Sequence, residues 1–177
     1  KPVYKEKLRL RSYGRTDRDS PVFMELKKKY RSIVYKRRLT LPYDRALDCL
    51  TGACPWPETQ IGGEIRYTVD FYPDLESRVF LAYERDSWLA PESGLRITFD
   101  DAIRFRTEEL TLDSDPWGTA LLGPDQVLME LKAPGAIPLW MVRLLTEMRL
   151  YKTSFSKYGT AYQLLLEREW KGGKRYA

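Results

Sequence analysis

A ten-residue stretch near the start of the chain, residues 5–14, alternates cations with leucines. Its cations are Lys5, Lys7, Arg9 and Arg11, and leucines occupy positions 8 and 10. Successive side chains of a β-strand point to opposite faces, so a strand would place all four cations on one face and both leucines on the other. A helix would scatter the cations around its axis. The stretch therefore predicts a strand that packs on a core with one face and presents positive charge with the other.

The composition is typical of a globular protein, and the mild positive charge is compatible with an anionic partner but does not require one. Of the 177 residues, 31% are charged and 43% are hydrophobic, and the net charge is +5. We expect a single domain over residues 1–177.

The chain has no histidine, which excludes His-dependent triads and His-ligated metals within it. Cys49 and Cys54 fit no disulfide framework, so we expect free thiols in a reducing, cytoplasmic compartment. No apolar run approaches the roughly 18 residues of a membrane span.

Short turns join the first predicted strand to two more, which indicates an antiparallel meander. The second strand covers residues 22–30 and the third covers residues 33–41. In the second strand, Met24 and Leu26 share one face, and Glu25 and Lys27 share the other.

The remaining chain predicts helices and further strands. Helices are predicted over residues 42–50, 64–72, 138–150 and 160–170, and strands over residues 78–89, 95–100, 103–107 and 127–132. Ile97 and Phe99 are expected to point into the core, with Asp100 on the opposite face. A turn-capping role stays open for Asp100 and Asp101. Arg104 and Arg106 share a face, and the pattern leaves open whether that face borders a cavity or solvent.

The ionic faces of these strands have two interpretations. One is the solvated outer face of an antiparallel sheet, and for Lys27–Lys29 a solvated strand edge stays open. However, the faces are mostly Lys and Arg, whereas solubility alone is served by interspersed signs. A sheet curled into a barrel or tunnel would collect these cations around a lumen, where a phosphate chain is the natural counter-anion. Glu130 among them suits a divalent metal that bridges phosphate oxygens.

Seven segments of the chain carry a family resemblance. In order they are Leu8–Gly14, Phe23–Lys27, Tyr35–Arg38, Tyr83–Arg85, Arg96–Asp100, Leu128–Lys132 and Phe155–Tyr158. Together they resemble the successive motifs of the VTC domain, the polyphosphate polymerase domain of the vacuolar transporter chaperone complex, in its bacterial form. The resemblance runs from Lys5 to about Tyr162. It implies a triphosphate-tunnel fold, which is an α+β fold with an antiparallel β-barrel and flanking helices. The family's N-terminal strand has no counterpart here, so we expect the N-terminal part of the domain to be missing.

The resemblance also implies an activity and a set of site residues. The activity is synthesis of inorganic polyphosphate from a nucleoside triphosphate, expected to be ATP, with Mn²⁺ or Mg²⁺. The implied phosphate-binding residues are Arg9, Arg11, Lys27, Lys36, Arg85, Arg96, Ser156 and Lys157. Arg85, Arg96 and Lys27 are the expected catalytic residues, and Glu130 is the implied metal ligand. A membrane tether is expected only through another domain or partner.

Phosphoryl transfer is the favoured hypothesis because the polymer end can attack directly, without a protein nucleophile. Two alternatives stay open: a triphosphatase on the same fold, with water as acceptor, and a non-catalytic domain that binds polyphosphate or triphosphate. Nucleic-acid binding is not expected, since the aromatic residues lie within apolar strand and helix patterns and form no RNA-binding platform.

Overall fold

Two antiparallel sheets organise the part of the chain that the computed structural model describes, residues 3–31 and 33–171 with side chains up to residue 167. The chain divides into two compact units, Lys1–Ser77 with Thr111–Asp115 and Arg78–Leu110 with Pro116–Ala177. Each unit combines a sheet with helices, which confirms the predicted α+β class with antiparallel strands and flanking helices. The single domain over residues 1–177 stays a prediction.

The sheet of the first unit is the predicted meander. Its strands are β1 (Tyr4–Arg11), β2 (Pro21–Tyr30) and β3 (Ile33–Pro42), in the order β1-β2-β3. The register places Arg9 opposite Glu25, and Glu25 opposite Arg38. As predicted, Leu8 and Leu10 pack against the core while the cations lie on the other face.

Two helices cover the apolar face of this sheet. Helix α1 (Tyr43–Thr51) begins after Pro42 and ends at Gly52, whose left-handed φ of 79° suits glycine. Helix α2 (Gln60–Phe71) begins earlier than predicted because the Thr59 hydroxyl caps it, accepting a hydrogen bond from the Gly62 N–H at 3.0 Å. The core between helices and sheet consists of buried side chains, namely Val22, Met24, Leu26, Leu41, Tyr43, Ala46, Cys49 and Ile65.

The sheet of the second unit is built around one long strand. Its members are β4 (Phe80–Ala90), β5 (Leu95–Arg106), β6 (Thr119–Ala120) and β7 (Leu128–Lys132), and β5 pairs with each of the others. The sequence predicted two strands where β5 is continuous. A bulge explains the change of pattern, since the register shifts between Ala82 and Glu84 and Ala102 has a positive φ of 43°.

The bulge also corrects the predicted inward face of β5. Phe99 is 36% exposed, whereas Asp100 is fully buried. An extra residue at a bulge reverses the alternation, so Asp100 shares its face with Ile103 and Phe105, the centre of the second core. The prediction that Ile97 and Phe99 point into the core is therefore wrong.

Two helices complete the second unit. Helix α3 (Leu139–Glu147) begins after Pro138, as predicted. Helix α4 (Lys157–Lys171) begins three residues earlier than predicted, so Lys157 belongs to its first turn rather than to the preceding connection. Ala161, Leu164 and Leu165 pack α4 on the second core. No helix in residues 3–31 and 33–171 is both long and apolar enough to cross a bilayer.

The described strands form two open sheets and not one closed barrel. The tunnel implied by the resemblance therefore stays a prediction.

Candidate anion-binding site

One face of the first sheet is strongly cationic. Side chains at alternate positions and at paired cross-strand positions share a face. By this register the face carries Lys5, Lys7, Arg9 and Arg11 from β1, Phe23, Glu25, Lys27 and Lys29 from β2, and Lys36 and Arg38 from β3. The predicted phosphate-binding residues Arg9, Arg11, Lys27 and Lys36 thus lie together on one surface.

A buried carboxylate, that of Glu25, lies at the centre of this cationic face. Its side chain is 3% exposed. Arg38 donates to Oε1 through Nε at 2.9 Å and Nη2 at 2.6 Å, and the Nζ of Lys36 lies 2.9 Å from the same oxygen. Arg9 donates to Oε2 through Nε at 3.1 Å and through Nη2. Glu25 therefore binds three cations from the two neighbouring strands.

The charge state of Glu25 follows from two opposing effects. Burial alone would raise its pKa, but the hydrogen bonds from Arg9, Lys36 and Arg38 outweigh burial and lower the pKa to about 2. Glu25 is therefore ionised at neutral pH. The three cations remain open on their outer sides, with side-chain exposures of 40%, 47% and 41% for Arg9, Lys36 and Arg38.

Arg11 and Lys27 extend the cationic face. The guanidinium of Arg11 lies 4.7 Å from the ring centroid of Tyr13 and 5.7 Å from that of Phe23. Its Nη2 donates to the Tyr13 hydroxyl at 2.5 Å, while its buried Nε has no hydrogen-bond partner among the described residues. Lys27 is exposed and lies opposite Lys36. Both side chains therefore keep N–H donors for an anion.

The second unit has its own buried carboxylate, Asp100, which is fully buried. Arg85 donates to it through Nε at 2.5 Å and Nη2 at 2.6 Å, one bond to each carboxylate oxygen. Lys157 also donates to Oδ2. Asp100 is thus an ion-pair partner of two predicted phosphate-binding residues, and its interpretation as a turn cap is wrong.

Paired charges fix the protonation states here too. Burial alone would raise the pKa of Asp100, but hydrogen bonds from Arg85 and Lys157 outweigh it and lower the pKa. In turn, the hydrogen bond with Asp100 raises the pKa of Arg85. The Tyr83 ring lies beneath both cations, 5.1 Å from the guanidinium of Arg85 and 4.5 Å from the Nζ of Lys157. The result is a rigid pair of cations beside one carboxylate.

The other predicted residues of the second unit lie on or near the same face. Arg96 is exposed, opposite Lys132 in the register. Ser156 precedes α4, and its hydroxyl accepts a hydrogen bond from the Gly159 N–H at 3.1 Å, which is a helix-capping arrangement. The assignment of both residues to phosphate binding stays a prediction.

Glu130, the predicted metal ligand, pairs with Lys132 at 3.0 Å and has a side chain 44% exposed. Its cross-strand neighbour Thr98 has a buried hydroxyl without a hydrogen-bond partner in the described part of the chain. Within residues 3–31 and 33–171, no three His, Cys, Asp or Glu side chains come together as a metal site. The Glu130 carboxylate and the Thr98 hydroxyl fit an ion such as Mg²⁺, which takes most of its ligands from phosphate and water. They do not provide a complete set of protein ligands.

Arg106 has a structural role, as a buried cation that binds the backbone. Its side chain stacks on the ring of Phe80 at 3.6 Å and donates to the carbonyls of Glu109 and Trp117. Arg104 donates to the carbonyl of Pro116 at 3.2 Å. Both arginines thus bind the backbone of the segment after β5, and since Arg106 is buried, the solvent alternative for it is wrong.

Sequence reasoning missed Arg38 and Asp100, although hairpin register could have found both. The short turn after Tyr30 pairs Glu25 with Arg38, and the turn after Ala90 pairs Arg85 with Asp100. Since turn length fixes register, both pairs could be read from the sequence once each hairpin was recognised.

Fold and site together define an α+β protein whose antiparallel sheets present clustered Arg and Lys side chains around buried carboxylates. Comparison with protein families is more specific. The VTC domain family matches residues 1–166, so the chain belongs to the VTC domain family, as the motifs predicted. Membership relates the chain to polyphosphate. A search of curated proteins finds no match.

Proposed function

We propose that this chain is a polyphosphate polymerase that transfers the terminal phosphoryl group of a nucleoside triphosphate, ATP in the first instance, to a growing polyphosphate chain. The observation that carries the proposal is the cationic face of the first sheet, in a chain of the VTC family. Its cations are spread along the strands, which suits an extended polyanion better than a single phosphate.

The reaction needs little from the protein beyond charge and position. A terminal oxygen of the polymer forms a bond to the γ-phosphorus, and the bond from that phosphorus to the β–γ bridging oxygen breaks, releasing the nucleoside diphosphate. The catalytic residues expected from the family motifs are Arg85, Arg96 and Lys27, whose positive charges would stabilise negative charge on phosphoryl groups. In the first unit Arg9, Arg11 and Lys36 would bind phosphate groups, and in the second unit Ser156 and Lys157 would do so.

Glu130 would hold a divalent ion, Mn²⁺ or Mg²⁺. When bound, such an ion neutralises part of the phosphate charge. The contribution of the chain is the Glu130 carboxylate, aligned by Lys132 at 3.0 Å on an open part of the sheet.

Arg96→Ala is the sharpest test of this activity. Arg96 is exposed and its removal breaks no buried ion pair, whereas Arg85→Ala would also leave Asp100 with Lys157 alone. The purified chain, supplied with ATP and Mn²⁺, should form long polyphosphate that is visible on a gel. We expect Arg96→Ala to lower the rate of synthesis by at least about a hundredfold, the usual cost of losing one transition-state donor.

Arg66→Ala is the matched control. Arg66 is an exposed arginine of α2 that pairs with Asp70 one turn away on the same helix, so its loss should leave synthesis unchanged. An Arg96→Ala variant that synthesises polymer at the wild-type rate contradicts the proposal.

The products separate the alternatives. A triphosphatase releases phosphate or triphosphate from ATP without any polymer. A non-catalytic binding domain retains polyphosphate but leaves ATP intact. Salt-sensitive binding of polyphosphate with no binding of an oligonucleotide of equal charge argues against a nucleic-acid partner.

A further inference from the structure

The carboxylate of Glu25 lies where charge alone opposes the proposed ligand. Glu25 is ionised at neutral pH, and it lies within a face proposed to bind a polyanion. Removing its charge would raise the positive charge of that face and favour a phosphate chain. If Glu25 favours binding of polyphosphate, it must do so through its local contacts, because its charge repels the ligand.

The hydrogen bonds of Glu25 show what it contributes. Arg9 and Arg38 each use their Nε and Nη2 atoms on it, and an arginine has five N–H donors, so the rest point elsewhere. Lys36 likewise gives one of its three ammonium donors. Without Glu25, the positive charges of Arg9 on β1 and of Lys36 and Arg38 on β3, on either side of β2, would repel one another. Glu25 holds them together on their inner side and leaves their outer side open.

We propose that Glu25 is a positioning residue that fixes Arg9, Lys36 and Arg38 in the arrangement that binds a phosphate chain. The inference rests on the proposed function, because it takes polyphosphate as the ligand of this face. It adds Arg38 to the ligand-binding cations and gives the buried acid a part in binding through them.

In this proposal Glu25 has two opposite effects on the affinity for polyphosphate. Its negative charge lowers the affinity, whereas the arrangement of cations that it maintains raises it. In Glu25→Gln the face gains one net positive charge, so more counterions are released on binding. The slope of log K against log salt should steepen by about 0.7–0.9, the range per neutralised charge for nucleic acids, which are dense polyanions like polyphosphate. At low salt the added charge acts over a Debye length of about 20–30 Å and strengthens binding. At high salt that attraction is screened. The variant should then bind more weakly, because Arg9, Lys36 and Arg38 are no longer held in place by a carboxylate.

The experiment measures binding of sodium polyphosphate of one chain length to the full chain by calorimetry across a tenfold range of salt. We expect the curves of wild type and Glu25→Gln to cross, with the variant tighter at the lowest salt and weaker at the highest, and the ratio of the two affinities changing about five- to eightfold over the range. Tighter binding at every salt concentration shows that Glu25 acts by charge alone and overturns the proposal. Weaker binding at every concentration, by a variant that keeps the wild-type circular dichroism spectrum, shows that the loss of arrangement outweighs the added charge and supports the proposal.

Glu6→Gln is the matched control. Glu6 is a half-buried acid on the opposite face of the same sheet, where Lys28 binds it at 2.9 Å and the hydroxyl of Tyr72 donates at 2.7 Å. Its substitution makes the same change in net charge away from the cationic face. Glu6→Gln should bind polyphosphate more tightly than the wild type at low salt, because of its added charge, and as tightly as the wild type at high salt. Weaker binding than the wild type at high salt, as large as that of Glu25→Gln, overturns the proposal.

Glu25→Asp covers the case in which Glu25→Gln does not fold. The variant keeps the charge but shortens the side chain, so it should keep the wild-type salt slope while binding more weakly at all concentrations. Binding equal to that of the wild type overturns the positioning role. A wild-type chain that fails to bind polyphosphate refutes the proposed function, and this inference with it.

Discussion

Replacing Asp100 by asparagine tests the ion-pair network of the second unit with almost no change in shape. Asp100 is fully buried and accepts hydrogen bonds from Arg85 at 2.5 Å and 2.6 Å and from Lys157. Asparagine keeps one carbonyl acceptor, but its amide group would direct N–H donors at a cation. The substitution therefore removes the counter-charge and also creates a donor–donor contact.

The size of the effect follows from the burial of the partners. Removing one member of a buried ion pair costs about 3–5 kcal/mol of unfolding free energy, because a buried charge is left without compensation. The side chains of Arg85 and Lys157 are 30% and 18% exposed, so both can regain some water. We therefore expect a loss near the lower limit, about 3 kcal/mol.

The stability difference between wild type and Asp100→Asn should depend on pH, and its direction follows from the pKa of Asp100. The pKa of Asp100 is lowered in the folded state, so its ionised form stabilises the fold above the unfolded-state pKa of about 3.9, and this contribution is lost as the pH falls through the folded-state pKa. The difference between wild type and Asp100→Asn should be complete at neutral pH and shrink in acid.

Urea unfolding followed by far-ultraviolet circular dichroism measures these free energies at neutral and acidic pH. Asp101→Asn is the control, since the adjacent Asp101 is exposed and its loss should cost less than about 0.5 kcal/mol. A neutral-pH cost for Asp100→Asn as small as that of the control refutes the reasoning. So does a cost that stays the same in acid, because the contribution would then not come from the charge.

The remaining predictions concern backbone and thiol chemistry. Gly118 has a φ of 152°, and a Cβ there would lie 2.5 Å from the carbonyl oxygen of Phe105, so Gly118→Ala should lower the unfolding free energy by about 1–3 kcal/mol. Gly63→Ala, within α2 and with open space around it, should instead raise it by about 0.5–1 kcal/mol, and equal effects in urea unfolding would contradict both expectations. Burial and the neighbouring Cys54 raise the pKa of Cys49 to about 11. Iodoacetamide should therefore alkylate Cys49 at neutral pH about a hundredfold more slowly in the folded chain than in urea, and similar rates by mass spectrometry would exclude the shift.

Much of the first unit could be predicted from local patterns. Alternation at positions 5–11 indicated a strand with Leu8 and Leu10 inward, and both leucines pack on the core. Pro42 and Gly52 bound α1 as expected. These features depend on residues within a few positions of one another, so sequence reasoning reaches them.

The second unit could be predicted less well because its pattern changes at a bulge. Ile97 and Phe99 are more hydrophobic than Thr98 and Asp100, yet Thr98 and Asp100 are the buried residues. A buried aspartate is stable only beside its counter-ions, and Lys157 comes from a helix 57 residues further along the chain. No local pattern contains that partner.

The sequence by itself determined which cations share a strand face, because side chains alternate between the two faces of a strand. It also determined the family, because the motifs and their order are read directly from the sequence. The tertiary structure decided which faces are buried and which carboxylates hold the cations. Glu25 and Asp100 are buried and ionised at once because paired strands and, for Asp100, a helix 57 residues further along supply the donors that outweigh the cost of burial.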